Sequence, residues 1–351
     1  MQDMRRNGSV IHWFKLALLL VVALAGFSSS ATGVTPVAPA PANLPLAPDE
    51  TVAVDTTRYT AQNLDWNDTG RNRNVPARLY LPAAPHAPGS LPLVVFSHGI
   101  GGSRDGYSYL GRYLAANGYA SLHVQHVGSD RQVWLGNPFS MVSRLSDAAQ
   151  ESEALNRVQD VRFALDRILE PGVSPLIDAR RVVVAGHSYG ANTAMLVAGA
   201  RVDPQSRSVS LKDPRVSAAI LISAPPFYGL GDPKRILSGI DIPTLHITAT
   251  ADDIQIPGYF SGLPDRLEIF KAMGSDSSAL KVLAVFREGS HSMFTDRMGT
   301  GGSALNPRVK IATRQLALAF LDGLQSGSFV ALQRWPTTHA DIVATFEKRA
   351  L

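Results

Sequence analysis

The segment VVVAGHSYGANTAM, residues 182–195, constrains the fold of this chain more than any other feature. Its first four residues are apolar and predict a buried strand, and the alanine-rich stretch after Gly190 predicts a helix. The tight turn between them holds a serine, Ser188, flanked by glycines. Gly186 and Gly190 are expected there because a side chain at either position would collide with the neighbouring strand and helix. The segment therefore predicts a strand–turn–helix unit that presents the Ser188 hydroxyl at one end of a sheet.

Strand and helix patterns alternate along the chain from residue 51 onward. Two strand-like segments, TVAVDTTRYTAQ and VPARLYLPAA, come first and predict an antiparallel start. Short apolar runs then alternate with helical segments, including residues 131–170, predicted to be mostly helical, and a closing helix over 307–325. This alternation predicts an α/β fold of about eight mostly parallel strands with helices on both faces. In such sheets the reactive groups lie on loops after the carboxyl ends of the strands.

A serine hydroxyl is a weak nucleophile until a base takes its proton, so a nucleophilic serine needs a histidine. His291 lies in the loop EGSHSMF, directly after the predicted strand 280–288, and is the residue we assign to this role. Three other histidines near strand ends lie upstream of the serine. His187 lies inside the turn itself, where its side chain is expected to point away.

The histidine needs an acid that fixes its tautomer and stabilises its charged form. Asp252 and Asp253 both follow the predicted strand 243–251, which gives the chain order serine, aspartate, histidine expected for this type of sheet. If Ala249 occupies the place of the glycine that often ends this strand, Asp252 is the acid. Counting back from Pro257 favours Asp253. We take Asp252 as the acid and keep Asp253 as the alternate.

The negatively charged oxygen that forms during attack on an ester needs backbone N–H donors. Tyr189, the residue after the serine, supplies one of them. The loop SHGIGGS, residues 97–103, follows an early strand, and we assign the second donor to the N–H of Ile100. A phosphate-binding loop is not indicated, because no Lys–Ser/Thr pair follows these glycines.

Taken together, HGIGG, GHSYG, TATADD and GSHSMF resemble motifs of the α/β-hydrolase superfamily over roughly residues 50–325. More narrowly, FSHGIGGSRDGYSYLGRYLAANGYASLHVQHVGSD is similar to the secreted dienelactone-hydrolase-like and platelet-activating-factor-acetylhydrolase-like branch. The resemblance implies a hydrolase of carboxylic esters with a Ser–Asp–His triad and no cofactor.

The sequence departs from this branch in two places. Dienelactone hydrolases use a cysteine nucleophile, and the chain contains 0 cysteines. The acetylhydrolases carry their acid one strand earlier, where SAPPFYG, residues 223–229, has no carboxylate. The fold and the triad therefore carry over from the resemblance, and the substrate does not.

Composition limits the other classes of function. The absence of cysteine excludes disulfides and thiolate metal sites, no H-E-x-x-H spacing occurs, and we predict no metal. The formal net charge is +4, but the basic residues are scattered, so no nucleic-acid partner is indicated. Asp252 and Asp253 are adjacent and cannot flank a glycosidic bond from opposite faces.

The N-terminus has the order of a secretory signal peptide. Basic residues precede the apolar run LALLLVVALAGF, residues 16–27, and small residues follow it. The run is about 12 residues long, against the roughly 20 that span a bilayer. We predict a signal peptide over residues 1–31, cleaved near Ala31, with an uncleaved anchor as the alternative. Residues 32–49 are rich in Pro and Ala and predict an extended linker, which leaves 50–351 as the catalytic domain.

The sequence thus predicts an exported serine hydrolase, periplasmic or extracellular, that cleaves small-molecule or lipid esters through an acyl-enzyme on Ser188. It has no membrane span once the signal is removed, and its oligomeric state is left open. An acyltransferase with the same triad is one alternative, and a non-catalytic binding protein of the same fold is another. Apolar residues on the loops near the site favour an apolar acyl group. These are Trp134, Phe139, Met141, Pro225, Pro226, Phe227, Tyr228, Met293 and Phe294.

Overall fold

The structure is a computed structural model that describes residues 52–202, 211–227, 231–256, 259–273 and 278–349. The predicted signal peptide, residues 1–31, and the predicted linker, residues 32–49, lie outside the described residues. Within those ranges, none of the helices is both long enough and apolar enough to cross a bilayer.

The described ranges contain eleven strands, and nine of them form one sheet. In chain order they are β1 (Tyr59–Asp68), β2 (Arg73–Pro82), β3 (Leu91–Ser97), β4 (Ala120–Val124), β5 (Ile177–His187), β6 (Val216–Ile222), β7 (Thr244–Ala249), β8 (Ile254–Ile256), β9 (Tyr259–Ser261), β10 (Lys281–Phe286) and β11 (Val343–Arg349). The sheet order is β1-β2-β4-β3-β5-β6-β7-β10-β11, and β8 and β9 form a separate hairpin. The central strands of the sheet, in the spatial order β4-β3-β5-β6-β7-β10, are parallel. The strands β1, β2 and β11 are antiparallel to their neighbours. The predicted α/β fold with a mostly parallel sheet is confirmed.

Helices cover both faces of this sheet. Those of the described ranges are α1 (Ser108–Ala116), α2 (Met141–Ala148), α3 (Glu151–Ile168), α4 (Tyr189–Ala198), α5 (Pro233–Leu237), α6 (Leu263–Ala272), α7 (Leu305–Ser326) and α8 (Val330–Thr338). Leu93 and Val95 of β3 belong to the apolar core that also contains α3 and α4. Val94 and Phe96 belong to the core on the other face, with α1 and α7. Successive strand residues point to opposite faces, which is why a strand covered on both sides is apolar throughout.

In the first predicted strand, TVAVDTTRYTAQ, the described residues before Tyr59 are not strand, and two further regions differ from the sequence predictions. The segment 131–170 is not one helix, because two 3₁₀ turns precede α2 and α3 and a short break separates those helices. After α7 the chain does not end but adds α8 and β11, and β11 pairs with β10 at the sheet edge. Trp335 of α8 holds this extension in place through a hydrogen bond from its indole N–H to the Ala312 carbonyl at 2.9 Å. The sequence hides β11 because the edge strand VATFEKR is charged and only partly buried.

Candidate active site

Ser188 lies at the turn between β5 and α4, with φ 55° and ψ −123°. Residues with a side chain rarely adopt a positive φ, so the surrounding structure must hold this turn in place. The Ser188 N–H donates to the Ile222 carbonyl of β6 at 2.9 Å. A Cβ atom at Gly186 would lie 2.1 Å from the Gly190 carbonyl oxygen, and one at Gly190 would lie 1.9 Å from the Ser97 oxygen. Only glycine fits at either position, because Gly186 lies against the start of α4 and Gly190 lies against the end of β3.

The structure brings Ser188, His291 and Asp252 into one hydrogen-bonded chain. The His291 Nε2 atom is 2.8 Å from the Ser188 Oγ, and its Nδ1 atom is 2.7 Å from the Asp252 Oδ1. An ionised carboxylate only accepts hydrogen bonds, so Nδ1 carries the ring proton. Nε2 is then left free to accept the proton of the serine hydroxyl. This tautomer is the one that a general base next to a serine requires.

Asp252 is the aspartate that contacts the histidine. Its exposed fraction is 0%, and the Thr248 hydroxyl donates to its second oxygen at 2.7 Å. Burial, the largest influence, raises the pKa of Asp252, but the hydrogen bond from His291 and the charges of His291 and Arg266 together lower it below the usual range. The carboxylate is therefore ionised at neutral pH. Asp253, the alternate, is exposed and has no hydrogen bond to the histidine.

The loop after β3 brings a backbone amide next to the serine. A Cβ atom at Gly99 would lie 3.3 Å from the Ser188 Cβ, and Ile100 follows directly. Neither the Ile100 N–H nor the Tyr189 N–H donates to an acceptor in the described part of the chain. Tyr189 is the first residue of α4, where a helix has no internal partner for its amide. Two unpaired donors thus lie on the two segments that meet at Ser188.

The position of His187 in the turn led us to expect a side chain that points away from the site. The structure instead places that side chain against His291. Its ring is buried, and the ring centre is 4.7 Å from that of His291. Its Nε2 donates to the His291 carbonyl at 3.0 Å, and its Nδ1 accepts from the Tyr107 hydroxyl at 2.8 Å. Burial, and next the charge of His291, lower the pKa of His187 to about 3, so the ring is neutral. His187 therefore holds the main chain of His291, a contact that no local sequence pattern reveals.

The predicted contribution of Met293 and Phe294 to a substrate pocket is wrong. Both side chains are 0% exposed and belong to the core on the α1 and α7 face. The cause is the 3₁₀ turn over His291–Phe294, which starts at the histidine and turns the residues after it inward.

Trp134 and Phe139 are surface residues, and for Trp134 a hydrogen bond also shows where it lies relative to the site. Trp134 is 43% exposed, and its indole N–H donates to the Gly101 carbonyl at 2.9 Å, which places it against the loop that carries Ile100. Phe139 is 94% exposed. Tyr228 lies outside the described residues.

No group of three or more histidine, aspartate or glutamate side chains in the described ranges is arranged to hold a metal ion. A surface cleft of about 470 Å³ lies between the β1 hairpin and α3, lined by residues such as Trp66 and Phe163. None of the residues described above for the site lines that cleft.

A sequence model of the alpha/beta hydrolase family matches residues 94–344, most of the chain. The chain belongs to the alpha/beta hydrolase family. Among solved structures, this α/β hydrolase is similar to a ferulic acid esterase from Streptomyces cinnamoneus, with 24% identity, 77% of this chain and 92% of that chain covered, and a TM-score of 0.53. At that identity the likeness supports the fold of this α/β hydrolase and nothing finer. None of the functionally curated proteins compared with it matches its sequence.

Proposed function

We propose that this α/β hydrolase is an exported serine esterase that works through an acyl-enzyme on Ser188. The observation that carries the proposal is the continuous chain of hydrogen bonds from Asp252 through His291 to the Ser188 hydroxyl, at 2.7 and 2.8 Å. Each of these side chains follows the carboxyl end of a different strand, where reactive groups of such sheets gather.

In the proposed reaction the Ser188 oxygen attacks the ester carbonyl carbon while His291 Nε2 takes the hydroxyl proton. The carbonyl oxygen becomes negative and accepts hydrogen bonds from the N–H groups of Ile100 and Tyr189. The intermediate then expels the alcohol, which receives the proton from His291 and leaves the acyl group on Ser188. Water, activated by the same histidine, attacks the acyl-enzyme, and the acid leaves with Ser188 restored. The ionised Asp252 stabilises the imidazolium in both halves of the cycle.

The substrate class that we propose is a small-molecule or lipid ester with an apolar acyl group. Its support is the exposed indole of Trp134 beside the loop of Ile100. We also propose that the chain belongs to the secreted dienelactone-hydrolase-like and acetylhydrolase-like branch of the family. This proposal rests on the resemblance of residues 96–130.

Export is proposed from the N-terminal segment alone. Mass spectrometry of protein recovered from the periplasm or the medium is expected to find a first residue near Ala31. A chain that retains Met1 in the membrane fraction would instead support the uncleaved anchor.

The function is tested by hydrolysis of p-nitrophenyl esters from acetate to palmitate, with the wild type beside Ser188→Ala. The variant is expected to lose turnover by at least about 10⁴-fold while unfolding at the wild-type temperature, because only the nucleophile is removed. The chain length with the highest kcat/KM separates a small-ester esterase from a lipase. Full activity in folded Ser188→Ala would reject the assignment of the nucleophile.

The product distinguishes hydrolysis from acyl transfer. In the presence of an added alcohol, an esterase releases mainly the free acid, whereas an acyltransferase yields mainly the new ester. Wild-type protein that binds these esters but forms neither product would point to the non-catalytic alternative.

A further inference from the structure

Arg157, in the middle of α3, is a fully buried arginine without a direct carboxylate partner in the described part of the chain. Its exposed fraction is 0%, and its hydrogen bonds go to hydroxyl and carbonyl oxygens, all of them neutral. The Ser129 hydroxyl separates it from Glu153, accepting from Arg157 at 2.8 Å and donating to the glutamate at 2.8 Å. Buried charges are normally paired because their desolvation is costly. This guanidinium therefore has a role that ordinary packing does not explain.

One side of Arg157 holds the loop of Ile100. Its Nη2 donates to the His98 carbonyl, two residues before Ile100. Its Nη1 donates to the Ser129 hydroxyl, and the Ser129 carbonyl accepts the N–H of Gly101, one residue after Ile100, at 2.8 Å. The main chain is thus tied down on both sides of the Ile100 amide.

The other side of Arg157 holds the start of α4. The guanidinium carbon lies 4.5 Å from the centre of the Tyr189 ring. Its Nε donates to the Thr193 hydroxyl at 3.0 Å, one helical turn further on, and that hydroxyl donates to the Tyr189 carbonyl at 3.1 Å. The residue that supplies the second unpaired amide is therefore held by the same side chain.

We propose that Arg157 is a positioning residue that joins the two halves of the oxyanion hole and directs a positive field toward the oxygen bound there. The inference rests on the proposed function, because it assumes that the Ile100 and Tyr189 amides bind a developing oxyanion. One amide comes from the loop after β3 and the other from the first residue of α4, and Arg157 contacts both segments from α3. Burial lowers the pKa of Arg157 to about 10, so it is charged at neutral pH. Charge preorganised in a water-excluded site favours the transition state over the neutral ester.

The test compares Arg157→Lys and Arg157→Met with the wild type, with each preparation titrated for reactive Ser188 by a fluorophosphonate probe. For both variants we expect kcat per titrated site to fall about 10- to 100-fold while KM changes less than about threefold. Arg157→Lys keeps a charge but loses the planar fork, so it is expected to retain more kcat than Arg157→Met. The affinity for an alkylboronic acid, which forms an anionic tetrahedral adduct with the serine oxygen, is expected to weaken in proportion to kcat/KM.

A matched control separates positioning from general stability. Arg215 also reaches α3, through the Arg162 carbonyl, but forms ion pairs with Asp213 and Asp166. Arg215→Met is expected to lower the unfolding temperature and leave kcat per titrated site and boronic acid affinity at the wild-type values. A folded Arg157→Lys with unchanged kcat and boronic acid affinity would overturn the proposal.

If neither Arg157 variant folds, the same measurements are made on Ser129→Ala and Tyr189→Leu instead. Each removes one contact of Arg157 and leaves the backbone amides in place. A loss of kcat of about threefold or more in each, without a matching rise in KM, supports the proposal, and wild-type kcat in both overturns it. Failure of the proposed function looks different, because the wild type would then not acylate at Ser188.

Discussion

The environment of His291 depends on neighbours from several different loops. Asp252, after β7, accepts from Nδ1, and His187, at the end of β5, donates to the His291 main-chain carbonyl. The Asp252 carboxylate is buried and ionised, whereas the next residue along the chain, Asp253, faces solvent. Two neighbouring aspartates thus differ in their contact with His291, because Asp252 binds the ring and Asp253 does not.

The difference between the two aspartates predicts opposite results for the same substitution. Asp252→Asn is expected to lower kcat about 10³- to 10⁴-fold, because an amide can donate to Nδ1 and so stabilise the wrong tautomer of His291. Asp253→Asn is the matched control and is expected to stay within about threefold of the wild type. Steady-state hydrolysis of one p-nitrophenyl ester measures both. Equal losses in the two variants would contradict the assignment of Asp252.

At the scale of elements, the crossing of the β5–α4 unit over the end of β3 places the serine beside the loop of Ile100. Gly190 allows this approach, because a methyl group on its Cα would come within 1.9 Å of the Ser97 oxygen. That oxygen belongs to the main chain of a central strand, so it has little freedom to move away.

Gly190→Ala is therefore expected to reduce both stability and activity. Overpacking typically costs 1–3 kcal/mol, and a clash with backbone places the expected loss at or above about 3 kcal/mol in the free energy of unfolding. Any displaced α4 also carries the Tyr189 amide away from the site. Gly70→Ala, in the β1–β2 turn, is the control, since its added methyl would lie 3.4 Å from its nearest neighbour. Urea unfolding measures the change in stability, and kcat measures the change in activity. Wild-type values of both for Gly190→Ala would contradict the close packing of Gly190 against the Ser97 oxygen.

At the scale of the whole molecule, several histidines are enclosed in the sheet and its cores. Burial is the main cause that lowers the pKa of His123 to about 4 and the pKa values of His126, His187 and His246 to about 3. In the unfolded chain each of them titrates near pH 6.5. Below that pH the unfolded chain binds more protons than the folded one, so acid favours unfolding.

The contribution of these buried histidines to the free energy of unfolding is expected to be at its full value above about pH 6.5 and to fall as the pH drops toward 4. Each histidine contributes a slope of up to about 1.4 kcal/mol per pH unit in this window. Asp252 adds to the loss below about pH 3.9, because its pKa is also lowered in the folded protein. Urea unfolding at pH values between 7.5 and 4.5 measures the slope.

His246→Asn checks the origin of this slope. The variant is expected to be less stable than the wild type at pH 7.5, because the substitution removes packing against Phe270. It is expected to lose less stability on acidification, because one titrating group is gone. A wild type equally stable at pH 7.5 and pH 5 would show that these rings are not held neutral.

From the sequence alone we could predict the α/β class of the fold, the strand–turn–helix around Ser188, and the loops that carry His291 and the two aspartates. These features depend on local causes, namely the period of apolar residues, the need for glycine at a tight turn, and the position of a residue just after a strand. The order of motifs along the chain likewise led to Ile100 and Tyr189.

The tertiary structure was needed to show that Asp252, and not Asp253, contacts His291, that His187 contacts the His291 main chain, and that Met293 and Phe294 are buried. Met293 and Phe294 are turned inward by the 3₁₀ turn that begins at His291. The other two contacts, Asp252 with His291 and His187 with His291, join residues that are close in space but far apart in the sequence. Which of two neighbouring loop residues faces the histidine therefore depends on how distant segments of the chain pack together. A local sequence pattern does not contain this information, and the same holds for Arg157, which contacts both the loop of Ile100 and the start of α4 from α3.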